Sequence, residues 1–155
     1  MKTMKKWTLL AIILLSFSVT AGVHNAHAQN SEEFEATRIL AEQGDADAQL
    51  HLGSMYADGQ GVEQDYSKTV EWYRKSANQG YALAHFLLGL MHTNAESVTQ
   101  DAVIAHMWFS ISVASGGEAA AEYRDKTAKE MTAEQIAKAE ELAAKCMESH
   151  FKDCP

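Results

Sequence analysis

Residues 44–80 read GDADAQLHLGSMYADGQGVEQDYSKTVEWYRKSANQG, and residues 80–116 read GYALAHFLLGLMHTNAESVTQDAVIAHMWFSISVASG. Laid over each other at a shift of 36, the two stretches share twelve identities in 37 positions without a gap. This composition would give about two or three by chance. Gly44, Gly80 and Gly116 mark the joints. Between them Ala46/Ala82, Ala48/Ala84, Leu52-Gly53/Leu88-Gly89, Met55/Met91, Val62/Val98, Gln64-Asp65/Gln100-Asp101, Trp72/Trp108 and Ser76/Ser112 coincide. A period of this size marks stacked supersecondary units, none of which can bury its apolar side alone. Upstream, Arg38, Ala41 and Gln43 match Arg74, Ala77 and Gln79, so 31–43 reads as the second half of an earlier unit.

Each unit reads as two helices. Ala48, Leu52, Met55 and Tyr56 recur at helical spacing through 45–57, and Val70, Tyr73 and Ala77 do so through 66–79. Between them Asp58-Gly59-Gln60-Gly61 is a loop whose glycines can take positive φ, and Asp65 is placed to cap the second helix. The small residues Ala48, Gly53 and Ala77, with their equivalents, let helix axes approach closely. The expected fold class is therefore all-α, a solenoid of helical hairpins.

The pattern Ala48-x-x-x-Leu52-Gly53-x-x-Tyr56-x-x-Gly59-x-Gly61-Val62-x-x-Asp65, followed by Trp72-Tyr73-x-Lys75-x-Ala77-x-Gln79-Gly80, resembles the Sel-one-like repeat (SLR), a relative of the tetratricopeptide repeat. The second unit keeps Ala84, Leu88-Gly89, Val98, Asp101 and Met107-Trp108-Phe109. It departs at His92, where the family has Tyr, and at Ala95 and Ser97, where it has loop glycines, so Asn94 is the residue expected to replace a glycine in the left-handed region. Ala120–Ala128 looks like a degenerate first helix and 131–137 like the family's closing helix. The resemblance runs from about Ser31 to the end of the chain and implies an α-α superhelix that binds other proteins.

The first residues read as an address. Lys2, Lys5 and Lys6 precede an apolar run from Leu9 to Val19, and Ala26-His27-Ala28 supplies a small-x-small cleavage pattern. The expected organisation is a signal peptide at 1–28 and a repeat domain at 29–155: a half unit at 31–43, repeats at 44–79 and 80–115, and a degenerate unit with a C-terminal cap at 116–155. Export implies a periplasmic or secreted protein with no membrane attachment after cleavage. The whole chain carries a net charge of −8. Removing three lysines and no acid takes the mature form to −11, which argues against a nucleic-acid binder because phosphate contacts need Lys and Arg. The single proline, Pro155, leaves the body free of proline-broken helices.

Two cysteines are too few for a disulfide-dense scaffold or a four-cysteine zinc site. Cys146 and Cys154 lie eight apart, about 12 Å along a continuous helix and beyond disulfide reach. A bond, expected in an exported protein, requires the chain to turn near Phe151. Thr132 and Gln135 form a capping box for the closing helix, whose apolar stripe is Ile136, Ala139, Leu142, Ala143, Cys146, Met147 and His150. Glu134/Lys138 and Glu141/Lys145 are spaced for ion pairs on its outer side.

Function reads as a non-catalytic adaptor or scaffold of the bacterial cell envelope, monomeric, holding a protein or peptide on its concave face. Gln49, Tyr56, His85 and His92 occupy equivalent positions on one helix side and are candidate contacts. Leu83, Leu87 and Leu90 form a second stripe where the first unit has Asp47, His51 and Ser54. These leucines are either covered by neighbouring helices or the floor of an apolar groove. No cofactor is implied. No metal is implied either, since His85 and His92, seven apart on a helix, stand about 10 Å from each other. The competing class is an envelope enzyme such as a β-lactam hydrolase, because Ser149-His150-Phe151-Lys152 fits S-x-x-K, although the companion motifs S-D-N and K-T-G are absent.

Overall fold

The computed structural model of the chain describes residues 30–94 and 101–155. The expected signal peptide and the second unit's loop, 95–97, lie outside the described residues. Among the described residues there are seven helices and no strand. A first helix, α1, spans 30–42. It is followed by α2 (Ala46–Asp58), α3 (Tyr66–Ala77), α4 (Ala82–Asn94), α5 (Ala102–Ala114), α6 (Ala120–Ala128) and α7 (Ala133–Glu148). Asn94 is the last residue of α4. None of the helices is long and apolar enough to cross a membrane.

Aspartates start α2, α3 and α5. The carboxylate of Asp45 accepts from the Ala48 amide at 2.8 Å, and that of Asp65 from the Lys68 amide at 3.0 Å. Asp101 takes both the Val103 and Ile104 amides, at 2.9 and 3.1 Å. Each cap satisfies amides that have no partner inside the helix and contributes about 1 kcal/mol. At the other end of α2, Gly59 turns left-handed (φ 69°) and its amide closes on the Met55 carbonyl.

The helices pack as hairpins, α2 on α3 and α4 on α5, and α4 also packs against α3. Within each hairpin the approach is set by a glycine. A Cβ at Gly53 would stand 2.6 Å from Tyr73 Cδ1, and one at Gly89 2.5 Å from Phe109 Cε1. The ring of the second helix therefore sits directly against the bare backbone of the first. The hairpin is also pinned at its ends by a serine: Ser76 Oγ donates to the Ala46 carbonyl and Ser112 Oγ to the Ala82 carbonyl, each at 2.8 Å. The same contact thus recurs at a spacing of 36.

The half unit supplies a lone second helix. Phe34 and Ala41 of α1 pack into Ala48, Leu52, Met55 and Tyr56 of α2, with the Phe34 and Tyr56 rings edge-on at 5.5 Å. The main core joins Tyr73 and Ala77 of α3, Ala84, Leu88 and Met91 of α4, Met107, Trp108 and Ile111 of α5, and Ala139, Ala143 and Cys146 of α7. A smaller cluster of Ala105, Phe109 and Ala120 carries α6.

The last helix departs from its expected pattern in two respects. The capping box forms, with Thr132 N donating to Gln135 Oε1 at 2.8 Å and Gln135 N to Thr132 Oγ1 at 3.2 Å. Of the stripe, however, Met147 and His150 are exposed. The helix stops at Glu148, and the chain reverses through His150 (φ 53°) and Phe151 (φ 63°), so that Phe151 is folded inward instead. On the outer side Glu141 takes both Lys138 (3.3 Å) and Lys145 (2.5 Å), in place of the expected Glu134/Lys138 pair. These pairs are exposed and add little to stability.

The reversal brings Cys146 and Cys154 to a Cα–Cα distance of 4.8 Å, and the two are bonded. The turn begins at Ser149, two residues ahead of the expected place. Its hydroxyl donates to the Cys146 carbonyl at 2.9 Å and accepts from the Asp153 amide at 3.1 Å, while the Phe151 amide closes on the Cys146 carbonyl at 2.9 Å.

Candidate partner-binding faces

The four residues expected to share one open helix side are buried. Gln49 and His85 face the preceding unit: Gln49 Nε2 donates to the Ala41 carbonyl at 3.1 Å, and His85 Nε2 donates to the Ala77 carbonyl at 3.0 Å. Ala41 and Ala77 are themselves 36 apart, so amide and imidazole perform the same task, adding a second hydrogen bond to a carbonyl at the end of the previous second helix that already accepts from the joint glycine's amide, Gly44 at 3.1 Å or Gly80 at 2.8 Å. Gln79 adds to the first joint, donating to the Gly44 carbonyl and to Gln49 Oε1, each at 2.9 Å. Tyr56 packs on Phe34, and His92 is buried at the far end of α4. Gln49, Tyr56 and His85 thus sit at joints between units, while His92 lines a cleft with Leu90, Tyr123 and Thr127. The polar-to-polar exchange Gln49/His85, matched with the identity Ala41/Ala77, was the signal for these joints in the sequence.

Because a carbonyl can only accept, His85 carries its proton on Nε2 and is neutral. Burial pulls its pKa down from 6.5 to about 4, against a small opposing pull from the Ala77 carbonyl. The ring lies against Trp108 (15° between planes, centroids 5.8 Å) and Phe151 (4.9 Å). Burial lowers the pKa of His106 as well, with Arg124 adding to the effect. Trp108 is a core residue as expected, whereas Trp72 is only half-buried, with Lys75 Nζ 3.6 Å above its ring.

The three leucines divide. Leu83 is 48% exposed; Leu87 is half-buried against the main core and Leu90 against the α5–α6 cluster. The closing helix does not cover them, since α7 packs on α5. The face that carries Leu83, Leu87 and Leu90 of α4 therefore continues over Asp47, His51 and Ser54 of α2, the equivalent positions. Tyr81, beside Leu83, ties the two helices by donating its hydroxyl to the Asp47 carboxylate. Beyond α2 a cleft lined by Thr37, Leu40, Asp45, Asp47, Ala48 and His51 extends the same surface, with Leu40 52% exposed at its edge. Sequence reasoning missed Leu40, which belongs to the half unit.

Two arrangements bear on catalysis. Ser149, the serine of the S-x-x-K pattern, spends its hydroxyl on the turn after α7, on the Cys146 carbonyl and the Asp153 amide. A second cleft between α5, α6 and α7 gathers His106, Ser110, Arg124, Asp125 and Glu140. There Ser110 Oγ and His106 Nδ1 stand 3.4 Å apart, longer than the bond that activates a hydroxyl nucleophile, and Arg124 is held by its neighbour Asp125 at 2.8 Å. Among the described residues no group of three or more His, Cys, Asp or Glu is placed to hold a metal ion.

The Sel1 repeat family model matches residues 46–81 and 82–117, the same period of 36 entered two residues later than the glycine joints. Solved structures similar to this chain include the following two. One is c5321, described as a protective antigen present in uropathogenic Escherichia coli strains displaying an SLR fold. It is 30% identical with a TM-score of 0.73, over 78% of this chain and 27% of that one. The other is a Sel1 repeat protein from Oxalobacter formigenes, 30% identical with a TM-score of 0.60, over 62% of this chain and 39% of that one. The chain thus spans about a quarter to two fifths of the length of these relatives. Among curated proteins nothing matches. Sel1 repeat proteins generally mediate protein–protein interactions, and the family is generally a non-catalytic scaffold. The chain carries two Sel1 repeats and folds as the SLR solenoid of the proteins that share them.

Proposed function

We propose that this protein is a non-catalytic adaptor of the bacterial cell envelope, acting as a monomer outside the cytoplasm, and that it holds a protein segment across α1, α2 and α4. The observation that carries this reading is the exposure of Leu83, with Leu87 and Leu90 half-buried beside it, on a face that α7 does not cover. That strip ends in the acid-lined cleft of Asp45, Asp47 and Leu40. An apolar floor with carboxylates at one end suits a helix or extended segment carrying apolar side chains and a basic residue. Pre-formed helices would receive it with little reorganisation. The basic start, apolar run and Ala-His-Ala of residues 1–28 support export, and the cysteine pair suits an oxidising compartment.

The test is capture from envelope extracts by the mature chain and by its Leu83→Asp variant. A protein retained by the first and lost by the second supports this face. Equal retention by both removes the face from the reading, and retention of nothing above background removes the adaptor.

A further inference from the structure

The residues after α7 do more than end the helix. Phe151 is pressed against the His85 ring, and its Cε2 lies 3.3 Å from where a Cβ on Gly80 would be, a tight contact that the bare backbone of Gly80 avoids. The Asn78 side-chain amide, in the orientation that satisfies it, donates to the Phe151 carbonyl at 2.7 Å. Arg74 reaches two further main-chain oxygens, those of Cys154 (3.4 Å) and Pro155 (2.6 Å), while its guanidinium stands 5.8 Å from the centre of the Trp108 ring. An inserted aromatic ring, one amide on the following carbonyl and an arginine on oxygens further along is how a protein grips a peptide ligand. The segment 151–155 is gripped in just this manner by groups from α3, α4 and α5, none of which belongs to α7.

Two further features set the slot apart from ordinary core. His85 Nδ1 and Trp108 Nε1 are buried and without a hydrogen-bond partner, although native interiors pair such atoms almost always. The Phe151 ring offers them nothing. The segment is also delivered through two successive non-glycine residues in the left-handed region, His150 and Phe151, a conformation that side chains resist and that the Cys146–Cys154 bond helps hold.

We propose that residues 151–155 are a tethered stand-in for an external ligand: the slot formed by Arg74, Asn78, Gly80, His85 and Trp108 binds a peptide segment with an aromatic side chain followed by main-chain oxygens, and the Cys146–Cys154 bond keeps the chain's own segment in that place. This rests on the reading of the protein as a peptide-holding adaptor but uses a different surface from the α1–α2–α4 face. Release is a two-electron reduction by a dithiol. One thiolate of the dithiol attacks Sγ of the half-buried Cys154 and expels the buried Cys146 sulfur, which takes a proton. The second thiol of the reductant then attacks the mixed disulfide, leaving Cys154 as a thiol and the reductant as its own disulfide. A ligand carrying a hydroxylated aromatic ring would be preferred over phenylalanine, because it could pair one of the two unpartnered nitrogens.

The experiment uses the full mature chain and, as probe, a fluorescein-labelled peptide with the sequence of residues 149–155 and serine in place of the cysteine. The oxidised parent is compared by fluorescence polarisation with the double variant Phe151→Ala/Cys154→Ser. The double variant should bind the probe saturably and the parent should not. Adding Arg74→Ala should weaken binding about tenfold, the loss of charge-assisted bonds to main-chain oxygens. No binding by a double variant that retains the parent's helical circular dichroism overturns the proposal. So does equal binding with and without Arg74, or binding by the oxidised parent. If the double variant loses its helicity, hydrogen exchange of the dithiol-reduced parent decides. Residues 149–155 should exchange faster while α4 and α5 stay protected, and an unchanged tail overturns the proposal. Failure of the slot leaves retention at Leu83 untouched, and failure at Leu83 leaves probe binding untouched, so the two readings fall separately.

Discussion

Gly89→Ala would ordinarily stabilise a helix interior, by about 1 kcal/mol. Here it should do the reverse. The added Cβ would lie 2.5, 2.6 and 3.0 Å from Cε1, Cδ1 and Cζ of Phe109, so the ring or the helix must move by about an ångström to reach ordinary contact. Phe109 has no free direction. It is fully buried, with Phe86 at 5.8 Å and Tyr123 at 5.8 Å from its ring and Ala105 and Ala120 in the same cluster. Overpacking of this kind costs about 1–3 kcal/mol, which offsets the helix gain and leaves a net loss of up to about 2 kcal/mol. For a chain of this size that is a fall in Tm of up to roughly 6 °C. Gly53→Ala meets the equivalent ring at 2.6 and 2.7 Å and the Thr69 carbonyl at 3.3 Å. Tyr73 is tied at its tip, where Ser54 holds the hydroxyl at 3.1 Å, so the loss there should be comparable. Thermal melts of the two single variants and of Gly89→Ala combined with Phe109→Leu form the assay. The smaller side chain should recover part of the loss, a coupling that a double-mutant cycle measures. A Gly89→Ala variant that melts above the parent would refute the close-approach account of the hairpin.

Other outcomes follow from buried groups. The neutral His85, with its pKa near 4 against 6.5 when unfolded, contributes stability that is present above pH 6.5 and lost as the pH falls towards 4, because the unfolded chain binds the extra proton. The shift corresponds to about 3 kcal/mol. His85→Gln, which copies the amide of Gln49, should flatten the fall in urea midpoint between pH 7.5 and 4.5; an unchanged slope would show that His85 does not titrate on unfolding. Reducing Cys146–Cys154, or Cys154→Ser, should lower stability by about 2–3 kcal/mol, the closure entropy of a loop this short, with α2–α5 still helical by circular dichroism. Leu83→Asp should melt within about 2 °C of the parent, as a substitution at an exposed site does, whereas Leu87→Asp should lose about 2 kcal/mol by placing a carboxylate against the main core. Equal melting of the two would mean that the leucines are buried alike or exposed alike.

What the sequence disclosed and what it hid differ by the kind of contact involved. Contacts inside a unit were legible, because they repeat: the bare backbone at Gly53 and Gly89, the capping carboxylates of Asp65 and Asp101, and the glycine joints all recur at 36 and depend on residue type alone. The helical reading of each segment follows from them. Contacts between units were harder. Gln49 and His85 are polar residues on a helix, and polarity on one unit looks the same whether it faces solvent or a neighbour's carbonyl. Only the register of Ala41 with Ala77 separates these two meanings, and it does so once the repeat is treated as a stack and not as a pair. Leu83 and Leu87 show the converse: both are leucines at helical spacing, and one is exposed because the helix that might have covered it packs on α5. The tail was least legible. A stripe that includes Met147 and His150 is good helix periodicity, and nothing local says the helix stops at Glu148. The deciding constraint is the distance between two cysteines eight residues apart, which a helix cannot close. It requires a reversal and so fixes where Phe151 must go. Once folded inward, that ring meets His85, and the main-chain oxygens beyond it meet Arg74, residues that come from two different repeats and have no common pattern in the chain.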